Sequence, residues 1–418
     1  MADSPFVHHG PMTELADAVL PLVRTSSDLH RWSASNRHGS QMHAAVDILE
    51  EARATGADPK DVLDVTQRAI ASSLKIIMRA DDSSGIIGDA IRRLLDLHPV
   101  AADEVRVSPA KLVRWMLRFQ FEEECDFFTL DPVAYAPALG EDGMRDYRAE
   151  LDRIRAELGP APEAEFSFSH TRFVLDDLER RLAVHDRDVD AIIRTHVRDG
   201  RVPVWSTDAA RALIEINEID AAIEWAQRAA DHPTGGHQAI AGAEYWCQLL
   251  AEHRPDELAE ARLMVFRRWP NATHAARLHQ AVGATWPDVR DEVMAALAGD
   301  PREAVNFALG TLKDPELAWQ LAHNLVLEDG GTWVRVADAY RRIDPVATVS
   351  VYSRVATDTL VATDVRAYKH AAKLLAHAQD LAAGTEREEE VTDLVTALRE
   401  MYKRRRRMLQ EFDRAGLL

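Results

Sequence analysis

Apolar residues along this chain recur at intervals of three and four, the period of a helix face, and not at the interval of two that marks a strand. Ile219, Ala222, Ile223 and Ala226 make one such stripe. Trp333, Val336, Ala337 and Tyr340 make a second, and Tyr368, Ala371, Ala372 and Leu375 a third. Five Asp-Pro dipeptides fall between the stripes: Asp58-Pro59, Asp131-Pro132, Asp300-Pro301, Asp314-Pro315 and Asp344-Pro345. Each predicts a helix start, because the carboxylate can accept from a free first-turn N–H and Pro at the first helical position forfeits no bond. In the first part of the chain the pattern predicts helices over 12–24, 41–54, 59–79, 85–98, 109–123 and 141–158, with Ser108-Pro109 opening the fifth. Residues 61–78 are apolar on more than one side (Val62, Val65, Ile70, Leu74, Ile76, Ile77), which predicts a central buried helix. Beyond residue 170 the candidate helices are about 12–18 residues long, with connections of roughly two to six. Ala at many packing positions there lets helices approach closely.

These elements predict an all-α chain in four parts. Residues 1–11 read as a flexible tail and 12–158 as a helical, globular N-terminal domain. Residues 159–169, opened by Gly159-Pro160-Ala161-Pro162, read as a linker. Residues 170–418 read as a tetratricopeptide-like α-solenoid of antiparallel helix pairs, although the 34-residue signature does not recur cleanly. Phe166, Phe168 and His170 alternate with polar residues, as a short extended segment would; the linker reading has these aromatics tuck onto a neighbour.

Length and charge narrow the function. A chain of 418 residues exceeds one compact core, and 46% apolar content suits a folded protein. A formal charge of −19 argues against general nucleic-acid binding, which needs concentrated Lys and Arg. Two distant cysteines, Cys125 and Cys247, cannot build a disulfide framework or a Cys-rich zinc site, and read as reduced thiols of a cytoplasmic protein. Residues 1–10 lack the pattern of a signal peptide, and no uninterrupted apolar stretch is long enough to span a membrane.

Residues 79–90 (RADDSSGIIGDA), 111–121 (KLVRWMLRFQF) and 126–140 (DFFTLDPVAYAPALG) together resemble an uncharacterised family of bacterial helical proteins. Residues 367–375 (AYKHAAKLL) and 398–409 (LREMYKRRRRML) resemble the helical region that follows the zinc-binding module of bacterial SWIM zinc-finger proteins. The likeness covers most of the chain and is most specific over 79–140. It implies a helical body with no established activity. A SWIM module needs Cys-x-Cys followed by Cys-x-His, and this chain has no Cys-x-Cys, so zinc binding is not implied.

Several local clusters invite a chemical reading. Asp81, Asp82 and Asp89 surround the loop Asp81–Gly85, and Asp126 and Asp131 accompany Glu122–Glu124. Such carboxylates could hold a divalent cation, singly or as one acidic pocket. The bland alternatives are a helix cap for the first cluster and ion pairs with Arg79, Arg114 and Arg118 for the second. His30, His38 and His43 lack the i, i+4 spacing of a zinc protease and read as loop or helix-end residues. Nucleophile-elbow, dinucleotide and phosphate-loop signatures are absent. The run Lys403–Arg407 falls on a helix predicted from about 387, opened by Glu386 and Glu388–Glu390. Its apolar stripe is Val391, Leu394, Val395, Leu398, Met401, Tyr402, Leu409 and Phe412. Arg405 lies within that stripe and is expected to pair with a carboxylate, since an unpaired buried charge is costly. Lys403, Arg404 and Arg407 point outward as partner-binding candidates, or simply complement the helix dipole.

The sequence therefore predicts a protein-interaction scaffold that holds a protein partner on its solenoid surface, with no catalytic residues and no cofactor. One alternative is a metal-dependent enzyme or regulator using residues 81–89 and 122–131. Another is a nucleic-acid-associated protein acting through 403–407. Oligomeric state is left open.

Overall fold

The computed structural model describes residues 14–122, 128–159 and 169–417. Twenty-one α-helices and no strand occur among them, so the chain is all-α. The chain divides into two compact units between Thr234 and Gly235. The first contains α1 (Glu14–Val23), α2 (Trp32–Ala54), α3 (Pro59–Ile77), α4 (Ile86–Val105), α5 (Pro109–Phe121), α6 (Pro132–Leu158), α7 (His170–His185), α8 (Val189–Val197), α9 (Pro203–Glu215) and α10 (Ile219–Ala230). The second contains α11 (His237–His253), α12 (Leu258–Arg268), α13 (Ala272–Val282), α14 (Trp286–Leu297), α15 (Pro301–Phe307), α16 (Pro315–Asn324), α17 (Gly330–Tyr340), α18 (Pro345–Thr359), α19 (Val365–Ala382), α20 (Glu388–Met401) and α21 (Arg406–Arg414).

All five Asp-Pro pairs open a helix as expected. Asp58 accepts from the Lys60 N–H, Asp131 from Val133, Asp300 from Arg302 and Glu303, Asp314 from Leu317 and Asp344 from Ala347. Each supplies one of the acceptors that a helix N-terminus lacks. Three expectations need correction. First, α2 begins at Trp32, nine residues before the predicted 41; its N-cap Arg31 makes no side-chain cap bond, so no capping residue marks that start in the sequence. His38 and His43 therefore sit within a helix, not in a loop or at a helix end. Second, the predicted helix 141–158 is the latter part of α6, which starts at Pro132 and turns at Gly140 (φ 61°). Third, the single helix expected from 387 past 409 is broken. α20 ends at Met401, residues 402–405 form a turn closed by the Arg405 N–H to Tyr402 carbonyl bond of 2.7 Å, and α21 follows. Mutual repulsion of consecutive cations weakens a helix at that point.

Within the first unit, packing runs between near neighbours in sequence: α1 with α2 and α3, α4 with α2, α3 and α6, then α5–α6, α6–α7, α7–α8, α8–α9 and α9–α10. The buried residues of α3 (Val62, Val65, Ala69, Ile70, Leu74 and Ile76 among them) point to several sides, and α3 packs on α1, α2 and α4. One continuous core joins Leu49, Ile91, Leu94, Tyr135 and Tyr147 to Val174, Leu175 and Leu178, so the first unit continues past 159–169. Each large apolar side chain removed from water here contributes roughly 1.5–3 kcal/mol. Residues 1–13 and 160–168 lie outside the described residues.

The second unit repeats the scheme: α11–α12, α12–α13, α15–α16, α16–α17, α17–α18, α18–α19 and α19–α20, with α19 also carrying α21. Trp333, Val336 and Ala337 of the second predicted stripe are buried, as are Tyr368, Ala371, Ala372 and Leu375 of the third. Ala318, Ala322, Ala337, Ala356, Ala371 and Ala378 have no solvent exposure. With only a methyl group at the contact, the helix axes can come close together. No helix among the described residues is long and apolar enough to cross a membrane.

Candidate functional site

The acidic loop between α3 and α4 is built as a helix start. Asp82 Oδ1 accepts from the Ile87 N–H and Oδ2 from the Gly88 N–H, both at 2.9 Å. Both oxygens are thus spent on first-turn donors, where the helix dipole also favours a negative charge. The Asp81 backbone N–H donates to the Leu29 carbonyl at 2.9 Å, and its side chain accepts from the Ser83 N–H at 3.3 Å. Asp89 pairs with Arg92 at 2.6 Å. Gly85 takes φ 78° just before α4, which explains the glycine in this loop.

Glu122 of the second cluster pairs with Arg118 at 3.5 Å. Asp126, with residues 123–127, lies outside the described residues. Asp131 caps α6 and also receives Arg181, Nε at 3.0 Å and Nη2 at 2.8 Å. The same guanidinium reaches Glu215 at 2.8 and 2.9 Å. Burial opposes the charge of Arg181, but its bonds to Glu215 and Asp131 outweigh that and hold its pKa above the ordinary value. The expected partner Arg79 instead donates to the Thr25 and Ser27 carbonyls. No group of three or more His, Cys, Asp or Glu placed to hold a metal ion occurs among the described residues.

Arg181 also lines a cavity of about 380 Å³ between α7, α8 and α9. Cations and carboxylates alternate around it: Arg180 pairs with Asp177 at 2.9 Å and Arg211 with Asp208 at 3.3 Å. His196 Nδ1 donates to the Ile192 carbonyl at 2.9 Å, and burial lowers its pKa. The lining carries four arginines against three carboxylates, and the fourth arginine, Arg198, lies 5.3 Å from the centroid of the Trp205 ring.

The three histidines separate. His38 is buried and its Nε2 donates to the Val23 carbonyl at 3.0 Å. His43 Nδ1 accepts from Arg93 at 3.1 Å. The His30 backbone N–H donates to Asp28 at 2.9 Å.

The C-terminal basic run departs from expectation at Arg405. Its half-buried guanidinium donates to the Leu360 carbonyl at 2.6 Å and lies 4.2 Å from the centroid of the Tyr402 ring. A carbonyl, not the predicted carboxylate, is the partner. Leu360 closes α18, so its carbonyl belongs to the electronegative end of that helix and suits a cation. Lys403 pairs with Glu400 at 2.6 Å and Arg407 with Glu411 at 3.0 Å. Arg404 is exposed.

Sequence reasoning missed two polar clusters. In the second unit Glu244 of α11 receives Arg262 of α12 at 2.8 Å, and also Arg277 of α13, with His274 Nδ1 at 3.3 Å. Burial alone would raise the Glu244 pKa; the His274 ring and the two guanidiniums hold it at about 2. Nearby Cys247 has its thiol pushed up to about 11 by burial, which removes the thiolate needed for reactivity. In the first unit His98 is buried, stacked on Trp115 at 3.9 Å, with Nδ1 2.9 Å from the Tyr135 hydroxyl and Nε2 2.9 Å from Gln67 Nε2. The Gln67 amide nitrogen can only donate, so Nε2 accepts and Nδ1 carries the proton. Burial lowers the His98 pKa to about 3. Both clusters join residues from separate helices, and no local spacing in the sequence announces them.

Residues 23–410 match a family of unknown function (DUF6880), and the chain belongs to it. No curated protein matches the chain.

Proposed function

For this member of a family of unknown function we propose a protein-interaction scaffold, a cytoplasmic body of tetratricopeptide-like helix pairs that holds a protein partner on its helix surfaces. The observation that carries the reading is the packing of helix upon next helix in each unit. Helical arrays of this kind expose a row of similar faces without needing a catalytic pocket. The alternative metal-dependent reading is weakened because Asp82 spends both oxygens on α4 and Asp131 is held by Arg181. A free thiol at Cys247 suits the cytoplasm. The resemblance of 367–375 and 398–409 to the helical region of SWIM proteins enters only as a helical body without a zinc module.

The test is affinity purification of the full chain from its native cell, mass spectrometry of what is retained, and rebinding of the purified partner. A protein that rebinds one-to-one supports the scaffold. Two results would overturn it. One is a large thermal stabilisation by divalent metal that Asp82→Ala abolishes. The other is nucleic-acid retention that disappears when residues 403, 404 and 407 are neutralised.

A further inference from the structure

We infer that the cleft between α19 and α21 binds a short acidic peptide segment of a partner protein. This rests on the scaffold reading and names the chemistry of what the scaffold holds. The cleft is a groove of about 450 Å³, lined on α19 by Lys369, Lys373, His377 and Asp380 and on α21 by Glu411 and Arg414. Arg366 extends the same face of α19, since positions 366, 369, 373, 377 and 380 follow the helical period. Arg366, Lys369 and Lys373 are exposed, and no ion pair or side-chain hydrogen bond ties them to another described residue.

The opposite wall is held in place. Glu411 is buried and takes Arg407 at 3.0 Å and Arg414 at 2.8 Å. Its charge is therefore already spent on two guanidiniums and does not neutralise the lysines. His377 Nε2 lies 2.9 Å from Arg341 Nη1, which can only donate, so the ring accepts and the Arg341 guanidinium is held as a further cation beside the cleft. Start and end of α21 are both anchored. Arg405 binds the Leu360 carbonyl, and Arg399 of α20 binds Asp413 at 2.8 Å and the Leu417 carbonyl at 2.7 Å. The groove is a preformed channel whose α19 wall carries Lys369 and Lys373, with Arg366 beyond them and the carboxylate of Asp380 at the other end.

Its dimensions and lining select the occupant. From Arg366 to Asp380 the helix rises about 20 Å, which an extended peptide covers in about six residues. Ala372, Ala376 and Ala415 form a small apolar floor suited to a peptide backbone and side-chain methylenes. No Phe, Tyr or Trp lines the groove, so it offers bases no stacking platform, the usual mainstay of single-strand binding. Clustered cations meeting an acidic motif is an established recognition mode.

The test measures fluorescence anisotropy of a labelled hexaglutamate peptide on the full chain at fixed salt. The expected result is saturable binding, weakened about tenfold or more by Lys369→Glu with Lys373→Glu. Lys60→Glu with Lys111→Glu, exposed positions of the first unit that do not line the groove, should leave it unchanged. The Lys369→Gln/Lys373→Gln pair should give an intermediate loss, and an unaltered melting curve confirms that these exposed positions leave the fold intact. Absent saturable binding, or equal affinity after the charge reversal, overturns the inference. So does an oligothymidylate that binds as tightly and is lost with the same reversal, which would make the groove a phosphate site. Self-association abolished by the reversal would instead make a second copy the occupant. If the cellular partner is retained by the Lys369→Glu/Lys373→Glu protein, the scaffold reading stands and the acidic groove falls. If the peptide binds but divalent metal also gives the large stabilisation that Asp82→Ala abolishes, the groove stands and the scaffold reading falls.

Discussion

A single histidine shows how burial fixes chemistry. His98 has no solvent exposure, and its two ring nitrogens are committed to Gln67 and Tyr135. A charged ring there would need two acceptors in a site with little water, so its pKa falls to about 3. The consequence for stability has a definite sign. Above about pH 6.5 the ring is neutral in both folded and unfolded chains and its contribution is complete. As pH falls from there towards 3, only the unfolded chain takes up the proton and stability declines, approaching about 1.4 kcal/mol per pH unit. His196, also lowered by burial, adds in the same direction. The Glu244 carboxylate, held at about 2, contributes fully above the unfolded carboxylate value and loses its contribution only below it, so it does not act between pH 6.5 and 5. Urea unfolding across that interval should show stability falling with acidification, and His98→Gln should make the fall shallower. An unchanged slope would mean that the buried ring is not what titrates.

Helices in this chain begin legibly and end obscurely. The five Asp-Pro starts were visible because the cap and the fixed φ of Pro reside in adjacent residues. α2 was half missed because its N-cap is Arg31, which makes no cap bond. Ends at Arg106, Arg187 and Val326 carry left-handed φ of 53°, 55° and 55° on residues that are not glycine, so no punctuation marked them. The break at 402–405 contains neither Gly nor Pro. The site fared likewise. The Asp82 cap could be read locally, whereas Arg181 reaches Asp131 across 50 positions and Glu215 across 34. The cations of α19 were legible as a polar face, but only the packing of α21 makes that face a groove. One close approach between elements was also invisible. A Cβ on Gly39 of α2 would lie 2.5 Å from Ile86 Cγ2 at the start of α4. Ala at a mid-helix glycine normally stabilises by roughly 0.5–1 kcal/mol. Overpacking costs about 1–3 kcal/mol, so Gly39→Ala should lower the denaturation midpoint. Adding Ile86→Ala should recover part of the loss. A stabilising Gly39→Ala would show that α2 and α4 have room to separate.

At the scale of the molecule the charge of −19 is unevenly shared. Residues 1–234 hold 42 Asp and Glu against 27 Lys and Arg, whereas residues 235–418 hold 27 against 23. The net acidity therefore counts against anion binding in the first unit far more than in the second, where the groove lies. It also sets the response of stability to salt. Surface ion pairs such as Arg153–Glu150 and Lys403–Glu400 are numerous but individually worth only about 0–1 kcal/mol, and salt weakens them. Self-repulsion of an excess of like charge opposes the compact state, and salt relieves it. At pH 7 the second effect should prevail. Raising NaCl from about 10 mM to about 200 mM shortens the screening length from roughly 30 Å to under 10 Å and should shift the urea midpoint upward. Near the isoelectric point of about 5.3 the repulsion vanishes while the attractive pairs persist, so the same addition should leave the midpoint unchanged or lower it. A midpoint that falls with salt at pH 7 would mean that specific ion pairs, Arg181 with Asp131 and Glu215 and Glu244 with its two guanidiniums foremost, outweigh the net charge in holding the units together internally.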